Sequence, residues 1–155
     1  MLQVKLKRLS EWAIMPTYGS EKAACMDVYA NLHDVGGVNQ KVTIQPHETV
    51  KIGTGWAMTP PEGYFGAIVA RSGLSSKQGL RPANAIRICD QDYTGEYIIA
   101  LHNDSAMPRE VHHGDRIAQL MFMPYEQINF VEVNELDATE RGAVLIHRYC
   151  NFVIN

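Results

Sequence analysis

Chemistry concentrates between residues 70 and 95. Arg71-Ser72-Gly73 reads as a cationic turn in which glycine frees the backbone while a hydroxyl and a guanidinium offer donors, a set suited to an oligophosphate. Asn84 reads as an amide facing inward, and Asp90-Gln91-Asp92-Tyr93-Thr94-Gly95 reads as a hairpin tip. Strand-edge amides, an aromatic ring and a carboxylate suit a nucleoside held beside a reactive water, with one carboxylate orienting and deprotonating that water. Each piece has a plainer reading. Arg-Ser-Gly is a common strand-end turn with a solvated arginine, and Asp-Tyr-Thr-Gly is ordinary turn chemistry with aspartates bonding local amides. Further on, Gly114-Asp115-Arg116 opens an apolar run that contains Gln119. A glutamine there can reach a phosphate or satisfy neighbouring backbone groups. His112-His113 reads as a solvated turn, and Trp56, Met121 and Met123 read as packing residues.

Short strands punctuated by turns must position these groups. Alternation and β-branched content predict strands around Val4 and Leu6 and over residues 26–30, 42–44, 49–52, 55–58, 64–70, 85–89, 97–101, 117–123 and 130–133. Pro46-His47-Glu48 and Pro60-Pro61-Glu62-Gly63 mark tight connections. Only residues 75–79 look helical, a single turn capped by serine and stopped by Gly79. Many short strands without internal repeats or linkers predict one all-β domain, a sandwich, barrel or jelly roll.

At 155 residues, 46% hydrophobic and 20% charged, the chain can bury a real core. A net charge of -3 gives no footprint for a nucleic-acid polymer, so a polyanionic ligand needs a local cationic pocket, for which Arg71, Lys77, Arg116 and Arg141 are candidates. Cys25, Cys89 and Cys150 are odd in number, widely spaced and in no CxxC pair, which predicts reduced thiols in a cytoplasmic compartment. The first residues alternate apolar and basic, unlike a signal peptide, and no apolar run is long enough to predict a membrane span.

Taken in order, five segments resemble the motifs of the trimeric dUTPase family: Ala23-Ala24-Cys25-Met26-Asp27, Ala70-Arg71-Ser72-Gly73-Leu74, residues 84–95, Gly114-Asp115-Arg116-Ile117-Ala118-Gln119-Leu120, and a fifth beginning at Arg141-Gly142. The resemblance implies a β jelly roll of the β-clip type and a homotrimer whose three active sites each draw on several subunits. It also implies Mg²⁺-dependent conversion of dUTP to dUMP and pyrophosphate. By that likeness Asp90 aims water at the α-phosphorus. The main chain at Ile88, Cys89 and Ile98, with Asn84, reads uracil, and Tyr93 packs under the deoxyribose. Arg71, Ser72, Gly73, Gln119 and Arg141 hold phosphates, and Asp27 stands at most in the outer shell of the metal.

Two departures stand out. The family usually has glycine where this chain has Arg87, which either strains the backbone and obstructs the base pocket or simply points to solvent. Past residue 142 the family continues with a glycine-rich arm, whereas residues 143–155 form an apolar, β-prone tail, so the expected boundary is 1–142 for the domain and 143–155 for the tail. Loss of such an arm lowers turnover more than folding. The departures leave room for a catalytically silent nucleotide-binding trimer and, by shared fold, for a dCTP deaminase-like relative.

Overall fold

The computed structural model describes residues 2–33, 40–140 and 142. Along these run β1 (Lys5–Arg8), β2 (Thr17–Tyr18), β3 (Met26–Tyr29), β4 (Lys41–Ile44), β5 (Thr49–Thr59) and β6 (Tyr64–Val69). After them come the single short helix α1 (Ser72–Gln78), β7 (Leu80–Pro82), β8 (Arg87–Cys89), β9 (Glu96–Asn103), β10 (Arg109–His112) and β11 (Arg116–Pro124). The strands pair antiparallel in three sheets, ordered β1-β5-β9-β7, β10-β4 and β2-β3-β11-β6-β8. The all-β reading holds. No helix among the described residues is long and apolar enough to cross a membrane.

Period-two burial explains why the sheets close on one core. In β9, Tyr97, Ile99, Leu101 and Asn103 are buried while their neighbours are half-buried. They meet Ile52, Trp56 and Met58 of β5 and Ile68, Ile117, Ala118 and Leu120 of the five-stranded sheet in one apolar cluster. Asn103 sits in that core with its needs met. Its Nδ2 donates to the carbonyls of Ile44 and Met107 at 3.0 and 2.8 Å, and its Oδ1 accepts from the Ser105 amide and hydroxyl.

Residues 49–59 form one strand rather than two separate segments, because a bulge absorbs the break. Pairing with β9 jumps from Gly53↔Ile98 to Ala57↔Glu96, Gly55 takes φ 73°, and its N–H donates to Glu96 Oε1 at 2.8 Å. Trp56 is core, as expected, and its indole N–H donates to the Ile14 carbonyl at 2.9 Å. The helix starts earlier than residues 75–79 suggest: Arg71 is its N-cap without a side-chain cap, and Gly79 closes it at φ 70°. Ser75 instead turns its hydroxyl back onto the Arg71 carbonyl at 3.1 Å.

Three further expectations need correction. Residues 130–133 are not a strand; among the described residues none pairs with them, and Phe130 is 88% exposed. Met123 does not pack, being 43% exposed near the end of β11. The segment through Asp90 and Gly95 is not a hairpin tip, because β8 pairs with β6 while β9 pairs with β5 and β7. It is a corner where the chain changes sheets, and among the described residues no strand pairs with the outer edge of β8. Residues 143–155, the expected tail, lie outside the described residues.

Candidate functional site

Two clusters carry the expected residues. The first forms where β6 hands over to α1. Arg71 caps the helix, and Ser72 and Gly73 are exposed in its first turn, where the leading N–H groups have no intrahelical acceptor. Gly73 is not in a left-handed conformation, and a Cβ there would meet nothing within 4 Å. Its openness, not a special φ, is what a ligand would use.

Asp27 organises this cluster from β3. Only 5% exposed, it accepts from Arg71 Nε at 2.9 Å, Arg116 Nη1 at 3.3 Å and Gln119 Nε2 at 3.4 Å. Register explains the meeting, since Gln119 of β11 stands opposite Asp27 on one side and Val69 on the other. Arg71 and Arg116 then line a cavity of about 200 Å³. Of the two carboxylates at its rim, Glu110 binds Lys41 and Asp115 accepts the His112 N–H. Arg116 was legible only as one of several cations; its proximity to Arg71 depends on a strand pairing that local sequence does not reveal.

The expected outer-shell role of Asp27 would run through water, beside the guanidinium groups that it already holds. Both its oxygens serve guanidinium groups, and no three His, Cys, Asp or Glu side chains among the described residues converge on a metal position.

The second cluster is the β8–β9 corner. Ile88 is exposed, Cys89 buried and Asp90 exposed, so alternation turns Ile88 outward and Cys89 inward. Asp90, Ile88, Asp92 and Gln91 line a cavity of about 730 Å³ with Phe65 and Tyr125. Gln91 Oε1 accepts from the Gly63 N–H and the Tyr125 hydroxyl at 3.4 and 3.3 Å, fastening this loop to β6 and to the chain leaving β11. Phe65 and Tyr125 escaped sequence reasoning, because nothing local ties either to the corner.

Tyr93 folds back over Gly95 and donates its hydroxyl to the Glu96 carbonyl at 2.8 Å. Asn84 is exposed rather than buried. Its carbonyl accepts the Ile86 N–H at 2.6 Å across Ala85, which holds φ 57°, so a tight three-residue turn delivers the chain to β8. Ile98 is half-buried opposite Gly53.

Arg87 is in neither state foreseen. Its backbone is ordinary strand paired with Ile68. Its side chain turns inward, with Cζ 5.7 Å from the Tyr93 ring centroid. Burial pushes the Cys89 thiol above its usual range, with Arg87 partly opposing, and burial pushes the Tyr97 phenol up strongly, with Cys89 adding to it.

The two clusters do not meet within one chain. Cys89 pairs with Gly66, which puts Asp90 near Phe65, while Arg71 lies six residues further along. At about 3.3 Å per residue they stand roughly 20 Å apart, at opposite ends of β6. Arg141 lies outside the described residues.

Known proteins are similar to this chain in sequence and fold. The sequence model of dUTPase matches residues 11–146. The deoxyuridine 5'-triphosphate nucleotidohydrolase of Desulfotalea psychrophila is 43% identical over 136 residues, 88% of this chain and 87% of that one. Its counterpart from Anaplasma marginale is 36% identical over 144 residues, 92% and 94% of the two chains. A variant of the Staphylococcus bacteriophage 80alpha dUTPase with dUpNHpp superposes at a TM-score of 0.81 and 26% identity, covering 93% of this chain and 96% of that one.

Proposed function

The chain belongs to the dUTPase family, and on that premise we propose how it hydrolyses dUTP to dUMP and pyrophosphate. The edge of β8 at Ile88 and Cys89, which pairs with no strand among the described residues, together with the main chain at Ile98 and the exposed Asn84, offers donors and acceptors to the uracil edge. Tyr93 supports the deoxyribose. Asp90, exposed in the adjoining cavity, takes a proton from water and aims the oxygen at the α-phosphorus; the α–β bridging bond breaks and pyrophosphate leaves. Arg71, Ser72, Gly73 and Gln119 hold the phosphate oxygens, and Asp27 is the positioning residue that fixes Arg71, Arg116 and Gln119. Magnesium, which suits phosphate oxygens, would arrive with the substrate, and Asp27 would reach it at most through water. We place the catalytic domain in residues 1–142.

Separation of the two clusters supports a homotrimer. A triphosphate reaching from the corner of one chain needs the Arg71 cluster of a neighbour. The deaminase and silent-binder alternatives are not favoured, because the close relatives are nucleotidohydrolases.

The observation that carries this reading is an exposed carboxylate, Asp90, beside an unpaired strand edge. Asp90→Asn is expected to lower pyrophosphate release from dUTP by about 10²–10⁴-fold with an unchanged circular dichroism spectrum. Activity within a few-fold of the parent would remove Asp90 from the chemistry.

A further inference from the structure

Asp90 stands just beyond the last paired residue of β8. Pairing with β6 ends at Cys89↔Gly66, so among the described residues no ladder of that strand extends to Asp90. The far side of the corner is fixed by Tyr93, whose hydroxyl donates to the Glu96 carbonyl at 2.8 Å. The near side depends on the next residue, Gln91. Its Oε1 accepts from the Gly63 N–H at 3.4 Å and from the Tyr125 hydroxyl at 3.3 Å. Tyr125 in turn donates its own N–H to the Gly63 carbonyl at 3.1 Å, which closes a ring of three residues. That bond continues the β11–β6 ladder one step past Pro124↔Tyr64, so the ring hangs on two paired strands. The Phe65 and Tyr125 rings meet edge-on, centroids 6.2 Å apart, which steadies the hydroxyl. Each bond to Gln91 is long by itself, so the ring as a whole, not either bond alone, holds the amide.

We propose that Gln91 is a positioning residue for the reaction, setting where the Asp90 carboxylate points within the cavity that both residues line. This rests on the reading of Asp90 as the group that aims the water. Gln91 takes no proton and touches no bond that breaks. Its amide is neutral, so it anchors the corner without adding to the negative charge of Asp90 and Asp92 beside a phosphate. In-line attack needs the water oxygen held closely, and a misplacement of about 1 Å can cost about 10²-fold in rate. Loosening the neighbour of Asp90 therefore acts on the chemical step and not on binding.

Single-turnover hydrolysis of dUTP, with enzyme in excess, reads the chemical step in the parent, Gln91→Met, Tyr125→Phe, Asp90→Asn and Asp90→Asn/Gln91→Met. Calorimetric titration with dUMP and thermal melts accompany it. Gln91→Met keeps the length of the side chain and removes the acceptor. It is expected to slow the step about tenfold or more, with dUMP affinity within about twofold and an unchanged melt. Tyr125→Phe removes one of the two donors and is expected to give a smaller loss of the same kind. On top of Asp90→Asn, Gln91→Met is expected to change nothing further, because no carboxylate is left to aim. A Gln91→Met rate within about twofold of the parent overturns the proposal. An equal fall in rate and in dUMP affinity also overturns it, marking Gln91 as a general support of the corner. A full further loss on top of Asp90→Asn does the same, since Gln91 would then act through another group. Should Gln91→Met not fold, Gln91→Asn, which withdraws the amide by one methylene, and Tyr125→Phe decide by the same comparisons. Asp90→Asn alone separates the two readings. If it is slow while Gln91→Met is not, only the role of Gln91 falls; if it stays within a few-fold of the parent, Asp90 leaves the chemistry and Gln91 falls with it.

Discussion

At the scale of single residues, Asp27 and Tyr97 show how burial gives polar groups opposite meanings. Asp27 is buried because three donors satisfy it. Asp27→Asn keeps the shape but removes the charge that holds two guanidinium groups in place. KM for dUTP is expected to rise about tenfold, with a smaller change in KM for a substrate that has fewer phosphates; equal effects on both would point to a general loss of folding. Among the described residues the buried Tyr97 hydroxyl has only the weakly interacting Cys89 thiol beside it, so Tyr97→Phe is expected to be neutral or to stabilise by about 1 kcal/mol in thermal melts. Together with Cys89 it also sets an alkaline limit. Both groups are raised in the folded chain from ordinary values of 9.0 and 10.0. The unfolded chain therefore loses these protons first, and stability present below pH about 9 falls as pH climbs toward the folded values. Melting temperatures between pH 8 and 11 should drop more steeply in the parent than in Tyr97→Phe; parallel curves would refute the assignment. Asp27 could be named from the sequence but its meeting with Arg116 and Gln119 could not, because a contact with another strand is invisible until the register is known.

Elements show the same boundary between local and non-local information. Strand β9 could be read directly, since its alternation is a local property. The helix was placed late because Ser75 resembles a cap, whereas the real start follows from β6 ending at Val69. Residues 130–133 have strand-forming side chains but, among the described residues, no strand to pair with, and propensity alone makes no sheet. The corner between β8 and β9 looked like a hairpin because Asp-Tyr-Thr-Gly is hairpin chemistry; that each flanking strand prefers a different sheet cannot be read locally. Two glycines separate support from function. A Cβ on Gly55 would stand 2.6 Å from Ala13 Cβ at a φ of 73°, so Gly55→Ala is expected to cost about 2 kcal/mol or more in denaturant melts while leaving KM alone in the folded fraction. A Cβ on Gly95 would stand 2.7 Å from the Tyr93 hydroxyl and push that ring off its bond to Glu96. Gly95→Ala should therefore raise KM for dUTP with a smaller stability loss. The reverse pattern would mean that the bulge, not the corner, shapes the sugar site.

For the whole molecule, the question is what covers the surfaces one chain leaves bare. Ile128, Phe130, Val131 and Leu136 are more than 70% exposed along an extended segment. Burying each such side chain is worth about 1.5–3 kcal/mol, a strong incentive to lie against another copy. An apolar groove of about 380 Å³ lined by Val4, Leu6, Met15, Met26 and Phe122 adds to the uncovered area. In the proposed homotrimer the two half-sites at either end of β6 would come from different chains, Asp90 from one and Arg71 from its neighbour. Complementation between two inactive chains tests it. Asp90→Asn keeps Arg71, and Arg71→Ala keeps Asp90, so each alone is expected to be nearly inactive. Unfolded and refolded together in equal amounts, random assembly gives about a quarter of the sites an intact Asp90 from one chain and an intact Arg71 from its neighbour. Pyrophosphate release should then return to roughly a quarter of the parent value, and should depend on co-refolding rather than on simple mixing of preassembled oligomers. If both residues act from the same chain, every site carries one lesion and no mixture recovers activity, because no arrangement of subunits can restore a group that its own chain has lost.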